Sequence, residues 1–201
     1  MKPQLIGVVL LLAGIPGARL VAQSPKPPRE ELVALDAAGR VVGGPFRLSA
    51  FHARTLHPGA PAQELHVDVP RTSDAWPMLG LIRMVDEFRP DNGATRFVAG
   101  SHHWTELPES VLADRVAPYP GEALACGSAG SVLLFDTSTW HGHTASTSQV
   151  ARRSLQATFI PRTGRPATNF GARIQPETLA RLGSVAREVL GIESSIDAPT
   201  A

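Results

Sequence analysis

Three short stretches of the chain carry residue types that can hold a cation or an anion. In ELHVDV, Glu64, His66 and Asp68 share one parity and Leu65, Val67 and Val69 the other, so an extended strand would set the His66 imidazole and the Asp68 carboxylate side by side. A histidine and an aspartate so placed can grip one cation. A further histidine arriving from another strand would complete two imidazoles and a carboxylate, a set that leaves coordination positions open, as a non-haem Fe(II) oxygenase requires for its cosubstrate and O₂. Taken alone, His-x-Asp is short and common, and more often the polar face of a half-exposed strand.

The second stretch is TWHGHTAST, where His141 and His143 again share parity, so one or both can face a cavity. As a bare pattern, two histidines beside a tryptophan are more often surface or interface residues. The third is ARRSLQATFI. Arg152, Ser154, Gln156 and Thr158 fall on one face of a strand and Arg153, Leu155, Ala157 and Phe159 on the other, which suits the wall of a ligand cavity. Arg152 would offer a planar, bidentate grip on a carboxylate, and a solvent-facing arginine is the equal competing reading.

Strands must position these residues, and the sequence supplies them. FRLSAFHARTL, LHVDV, MLGLIRMVDEF, TRFVAG, SVLLFDTSTW and RSLQATFI are short apolar or alternating runs separated by PGAP, PDNG, YPG and GSAG, an all-β rhythm with no internal repeat. Asp91-Asn92-Gly93 predicts a tight hairpin between MLGLIRMVDEF and TRFVAG, because Asn-Gly accepts the positive φ such a turn needs. Leu32, Leu35 and Val41 or Val42 permit a short helix ending at Gly43 and Gly44, and Leu179, Leu182, Val185 and Leu190 predict one closing helix. The N-terminal MKPQLIGVVLLLAGIPGARLVAQSP reads either as a signal peptide or as a buried helix; it is interrupted and too short for a comfortable membrane span. Residues 1–30 are therefore set apart, with the Pro-rich PKPPREE as linker, from a single domain over 31–201.

Composition narrows the partners. A 201-residue chain, 43% hydrophobic with a formal net charge of +1, can bury one sizeable core. Its scattered Lys and Arg give neither a nucleic-acid footprint nor a polybasic membrane patch, so small molecules are the expected partners. Cys126 is the only cysteine, which rules out an intrachain disulfide and a thiolate zinc or iron-sulfur site. Any metal would be held by His and carboxylate.

The order of these pieces, from ELHVD through DNGATRFVAGSHHW to GSVLLFDTSTWHGHTASTSQVARRSL, resembles the phytanoyl-CoA dioxygenase family of Fe(II) and 2-oxoglutarate dependent dioxygenases. The resemblance runs from about Pro45 to Pro161 and includes Asn92-Gly93, Gly100-Ser101-His102 and the Gly-rich entry to the penultimate strand. It implies a mainly β fold: a double-stranded β-helix, or cupin-like jelly-roll, with a few flanking helices and a shortened N-terminus. It implies iron ligands at His66, Asp68 and His141, with Arg152 meeting the far carboxylate of 2-oxoglutarate. In the family the arginine follows the distal histidine at about the interval that separates Arg152 from His141, whereas the same interval back from Arg153 lands on Gly142. Fe(II), 2-oxoglutarate and O₂ would then drive hydroxylation of a small molecule, with no catalytic side chain beyond the ligands.

Two departures from the family pattern are His143, where a small residue is usual, and Ala99, where a proline is usual. His143 could hydrogen-bond the cosubstrate, act as a spare ligand or do neither. The first residues are similar to the family's helix, loop and helix, which favours an internal start and a cytoplasmic setting over secretion. Two other readings remain at this point: a cupin-like metal enzyme without 2-oxoglutarate, for which Arg152 is incidental, and an inactive, shortened β-sandwich with an exposed edge.

Overall fold

The structure, a computed structural model, describes residues 30–72 and 78–192. The apolar N-terminal run read as a leader or helix lies outside them. Among the described residues seven strands, β1 (Phe46–Leu56), β2 (Leu79–Met84), β3 (Thr95–Val98), β4 (Glu122–Ala125), β5 (Val132–Asp136), β6 (His141–His143) and β7 (Arg152–Pro161), form two sheets. Their orders are β1-β7-β2-β5 and β4-β3-β6, and every pairing is antiparallel. The chain is mainly β, as its rhythm of short runs and turns predicts.

Helix α1 (Glu30–Val42) ends where Gly43 takes φ 78°, a backbone state a side chain would strain. Its Ala38 and Val42 pack with Leu48, Leu79, Val132, Leu134, Ala157 and Phe159 on the outer face of the four-stranded sheet. The inner face meets the second sheet. There Ile82, Met84, Leu133 and Phe135 pack against Phe88, Ala94, Phe97 and Ala125. Period-2 alternation thus divides β2 and β5 between two apolar layers, which is why both read as nearly continuous hydrophobic runs.

The inner face changes character across the sheet. On β7 the inward residues are Arg152, Ser154, Gln156 and Thr158, and on β1 they are Leu56, Arg54, His52 and Ala50, paired with them in that order. The three-stranded sheet covers the apolar half with Phe97 and Ala125, while its Thr95, His141 and His143 face the polar half. The polar half is left to line a cavity.

Three expectations about elements change. Asn92-Gly93 does turn the chain, with Gly93 at φ 78° and the Asn92 N–H donating to Arg89 O at 3.2 Å, but β2 and β3 lie in different sheets and do not form a hairpin. The turn is a corner between sheets, and Asn92 is committed to it by its side chain, which donates to Glu87 O and accepts from Arg89 N. The closing helix is broken into α4 (Pro176–Arg181) and α5 (Ser184–Leu190). Leu182 and Gly183 are extended between them, and the Arg187 guanidinium satisfies the carbonyls of Leu179 and Leu182 that the break exposes. Finally, ELHVDV forms a single bridge, His66 with His141, rather than a strand. Short helices α2 (Pro108–Val111) and α3 (Phe170–Arg173) are also present, and among the described residues no helix is long and apolar enough to cross a membrane.

Candidate metal centre and its cavity

Although ELHVDV is not a ladder strand, its alternation survives. The Leu65 and His66 N–H groups donate in opposite directions, to Arg115 O and His141 O, so Leu65 is buried with Val98 and Trp140 while His66 and Asp68 turn inward. The His66 Nε2 lies 3.6 Å from Asp68 Oδ1, and His141 Nε2 lies 3.7 Å from Asp68 Oδ2. Donor atoms of the three residues all fall within 4.8 Å of one another, and they are the group among the described residues that can hold a metal ion. His143 is not part of it.

Both imidazoles are oriented by backbone carbonyls. His66 Nδ1 donates to Glu64 O at 3.0 Å and His141 Nδ1 to Thr139 O at 2.8 Å. With the proton held at Nδ1, each Nε2 presents its lone pair to the carboxylate between them. Three acceptors facing one another without a donor are repulsive unless a cation or a proton sits among them, so the donor set fits a divalent ion. The proton affinities follow from position: burial holds the His141 imidazole down to about 4, hence neutral and available. His66 is raised by its contact with Asp68. Burial works to raise the Asp68 carboxyl, but His66 and His141 together leave it below the ordinary value.

The glycine between the two histidines has a steric reason. A Cβ on Gly142 would stand 3.0 Å from Gln63 O and 3.1 Å from Glu64 O, so its absence lets the 63–66 segment lie against β6. Further contacts fix that segment and its neighbours. Gln63 N donates to His143 O, the buried Arg96 guanidinium donates to Gln63 O and Arg115 O, Glu64 pairs with Arg115, and Asp68 N donates to Thr137 O. The turn after β5 therefore supplies one carbonyl to His141 and another to Asp68. In the Gly100-Ser101-His102 phrase, Ser101 Oγ donates to Val98 O and accepts from Trp140 N, fastening β3 to the entry of β6.

A cavity of about 410 Å³ opens from the three donors. Arg152 lines it, 3% exposed, with its guanidinium 3.9 Å above the Phe88 ring and donating to Asn92 O and Gly93 O. Burial, with the Arg54 charge nearby, lowers it to about 10, so it stays charged at neutral pH. Two of its five N–H donors are spent on carbonyls, and the others remain for a ligand. Arg153 points to the opposite side, ion-paired with Asp86 at 2.8 Å. His143 lines the cavity with Nδ1 on Thr144 O, and burial lowers its proton affinity. Arg54, Gln63 and Thr95 also line it and were missed in the sequence. For Arg54 a signal existed: His52 and Arg54 alternate with Phe51, Ala53 and Thr55, the same pattern that exposed β7.

Comparison with known proteins fits this arrangement. The chain is 38% identical over 115 residues to Dioxygenase cdmA from Talaromyces verruculosus, covering 53% of this chain and 37% of that protein. It is 35% identical over 129 residues to Dioxygenase trt7 from Aspergillus terreus, covering 59% and 42%. The chain thus spans about half or less of the length of these curated relatives. Among solved structures, AviO1 from Streptomyces viridochromogenes Tue57 matches with a TM-score of 0.55 at 26% identity, over 70% of this chain and 61% of that one. HygX from Streptomyces hygroscopicus, with nickel and 2-oxoglutarate bound, shares the fold at 18% identity with a TM-score of 0.57, over 66% and 65%. Residues 22–154 match the phytanoyl-CoA dioxygenase (PhyH) family, and the chain belongs to that family.

Proposed function

We propose that the protein is an Fe(II) and 2-oxoglutarate dependent dioxygenase that hydroxylates a small molecule. The observation that carries this is the convergence of His66, Asp68 and His141, with both Nδ1 atoms held by carbonyls and both Nε2 atoms aimed at one carboxylate. The dioxygenase names of the relatives and the 2-oxoglutarate bound in HygX support it.

His66 and His141 would give neutral nitrogen ligands and Asp68 one anionic oxygen, leaving the remaining positions to 2-oxoglutarate and O₂. Bound iron would supply the oxidising chemistry, coupling decarboxylation of 2-oxoglutarate to succinate and CO₂ with delivery of one O₂ oxygen to succinate and the other to the product hydroxyl. Arg152 would anchor the far carboxylate of 2-oxoglutarate through charge-assisted hydrogen bonds, in a site where burial strengthens them. Phe88 and the carbonyls of Asn92 and Gly93 keep that guanidinium from swinging, so the cosubstrate is aimed and not merely retained.

Anaerobic addition of Fe(II) and 2-oxoglutarate is expected to give a weak charge-transfer band in the visible. Asp68→Ala should abolish it. Arg152→Ala should raise the 2-oxoglutarate concentration that half-saturates the band by about tenfold or more, while Arg153→Ala leaves it in place. A folded wild-type protein with no band would sink the assignment, and the opposite behaviour of the two arginines would show the wrong one was chosen.

A further inference from the structure

The cavity contains a second cation that this chemistry leaves without a counter-charge. Arg54 and Arg152 project from neighbouring strands onto the same inner face, with Arg54 opposite Ser154 and Leu56 opposite Arg152. Arg152 is engaged with two carbonyls and a ring. Arg54 is half-buried, and among the described residues its guanidinium makes no hydrogen bond or ion pair. Asp68 is the single carboxylate among the described lining residues, and a metal ion would claim it.

A divalent ion, Asp68, dianionic 2-oxoglutarate and Arg152 cancel, so the filled site keeps the single positive charge of Arg54. Both ends of 2-oxoglutarate are already provided for, one beside the metal and one at Arg152. A half-buried guanidinium facing a cavity without a partner is the chemistry that binds a carboxylate, because the fork geometry matches two oxygens and little solvation must be given up. The charge is also felt where catalysis would occur: it pulls against protonation of His141, His143 and Arg152, and of His66, which its contact with Asp68 still leaves raised. His52, on the same face of β1, is tied to Gln156 through an Nε2 to Oε1 contact of 2.9 Å, which leaves Arg54 as the free polar group of that wall.

We propose that Arg54 is an anion subsite that selects a prime substrate bearing a carboxylate and holds it beside the metal while Arg152 holds 2-oxoglutarate. This rests on the dioxygenase reading, and the test separates the two. Full-length protein loaded with redox-inert Zn(II) and saturating 2-oxoglutarate is titrated by calorimetry with phenylacetate and with its neutral isostere phenylacetamide. Wild type should prefer the carboxylate by about tenfold or more, Arg54→Gln should erase the preference, and Arg54→Lys should restore part of it. In parallel, 2-oxoglutarate binding to each variant is measured by equilibrium dialysis. Arg54→Gln should leave it within about twofold of wild type while Arg152→Gln weakens it by about tenfold or more. Equal affinity of wild type for acid and amide overturns the subsite. A loss of 2-oxoglutarate binding in Arg54→Gln as large as in Arg152→Gln overturns it too, because Arg54 would then serve the cosubstrate. Wild type that binds metal but no 2-oxoglutarate refutes the dioxygenase reading itself, and the subsite with it.

Discussion

Asp136 shows how a single side chain sets the frame around the candidate centre without touching it. It is wholly buried; Oδ1 accepts from Ser138 N at 2.9 Å, and Oδ2 has no hydrogen-bond partner. Burial raises its carboxyl above the usual value of 3.8, against the opposing pull of Ser138, His102 and Arg71. The folded state therefore takes up this proton more readily than the unfolded chain, so its contribution to stability falls as pH rises above 3.8. Asp136→Asn keeps the acceptor at Oδ1 and removes the charge. Urea midpoints at a series of pH values should show the variant equal to wild type near pH 3.8 and ahead of it at pH 7. No gain at pH 7 would mean that the Arg71 and His102 charges already offset the burial. At this level the sequence was informative where spacing was the information. The family's interval from the distal histidine favoured Arg152 over Arg153, and strand parity set the two on opposite faces, one over the Phe88 ring and the other on Asp86. Gln63 and Thr95 have no such marker, since both reach the cavity through pairing with the distant β6, Gln63 by its N–H on His143 O and Thr95 by the β3 ladder.

Elements impose their own demands, and β6 is the clearest. Its three residues could not lie against the 63–66 segment with a side chain at the middle position. Gly142→Ala should push the Gln63 and Glu64 carbonyls outward and spread the ligand pair they lead to. Zn(II) or Co(II) binding should weaken by about tenfold or more while the far-ultraviolet circular dichroism of the sheets is retained. Unchanged metal affinity would show that the segment yields without cost. The misread elements share a physical cause. Asn92-Gly93 has hairpin chemistry, but which sheet receives the next strand is decided by Phe88, Ala94 and Phe97 entering the core together, a long-range fact. The closing amphipathic pattern is truly helical on both sides of Leu182 and Gly183; only the contacts of Val189 and Leu190 with the outer face decide that the second half must turn back. The helix before β1, by contrast, was readable because glycines mark its end.

The molecule as a whole is layered, with helices on one sheet and that sheet facing a smaller one. Phe159 joins the outer layer together, buried against Ala38, Leu48 and Leu79 and edge-on to Phe46 at 5.8 Å. Phe159→Ala should cost about 3–5 kcal/mol, read as a lower denaturant midpoint with an unchanged slope, and should leave metal affinity in the surviving folded protein near wild type. A loss much below that range would mean the α1 layer collapses into the gap. The mainly β class and the polar wall of β7 follow from alternation that any strand must obey. The sheet order does not, because β7 sits between β1 and β2 through contacts far apart in the chain.

The isolated bridge between His66 and His141 has a consequence for mechanics. Residues 57–72 contribute no strand and are held to the sheets by scattered backbone bonds. An ion clasped by His66, Asp68 and His141 would act on that span as a rivet, joining it to β6, a strand far along the chain. Ligand binding to the folded state alone adds about 2.7 kcal/mol at a hundredfold excess over the dissociation constant. Here the added protection should be local: amide hydrogen exchange over 63–68 should slow on metal loading far more than exchange in β2 or β5. A metal held there would complete the wall of the cavity it opens into, so its removal should loosen the fold first at the 63–68 segment.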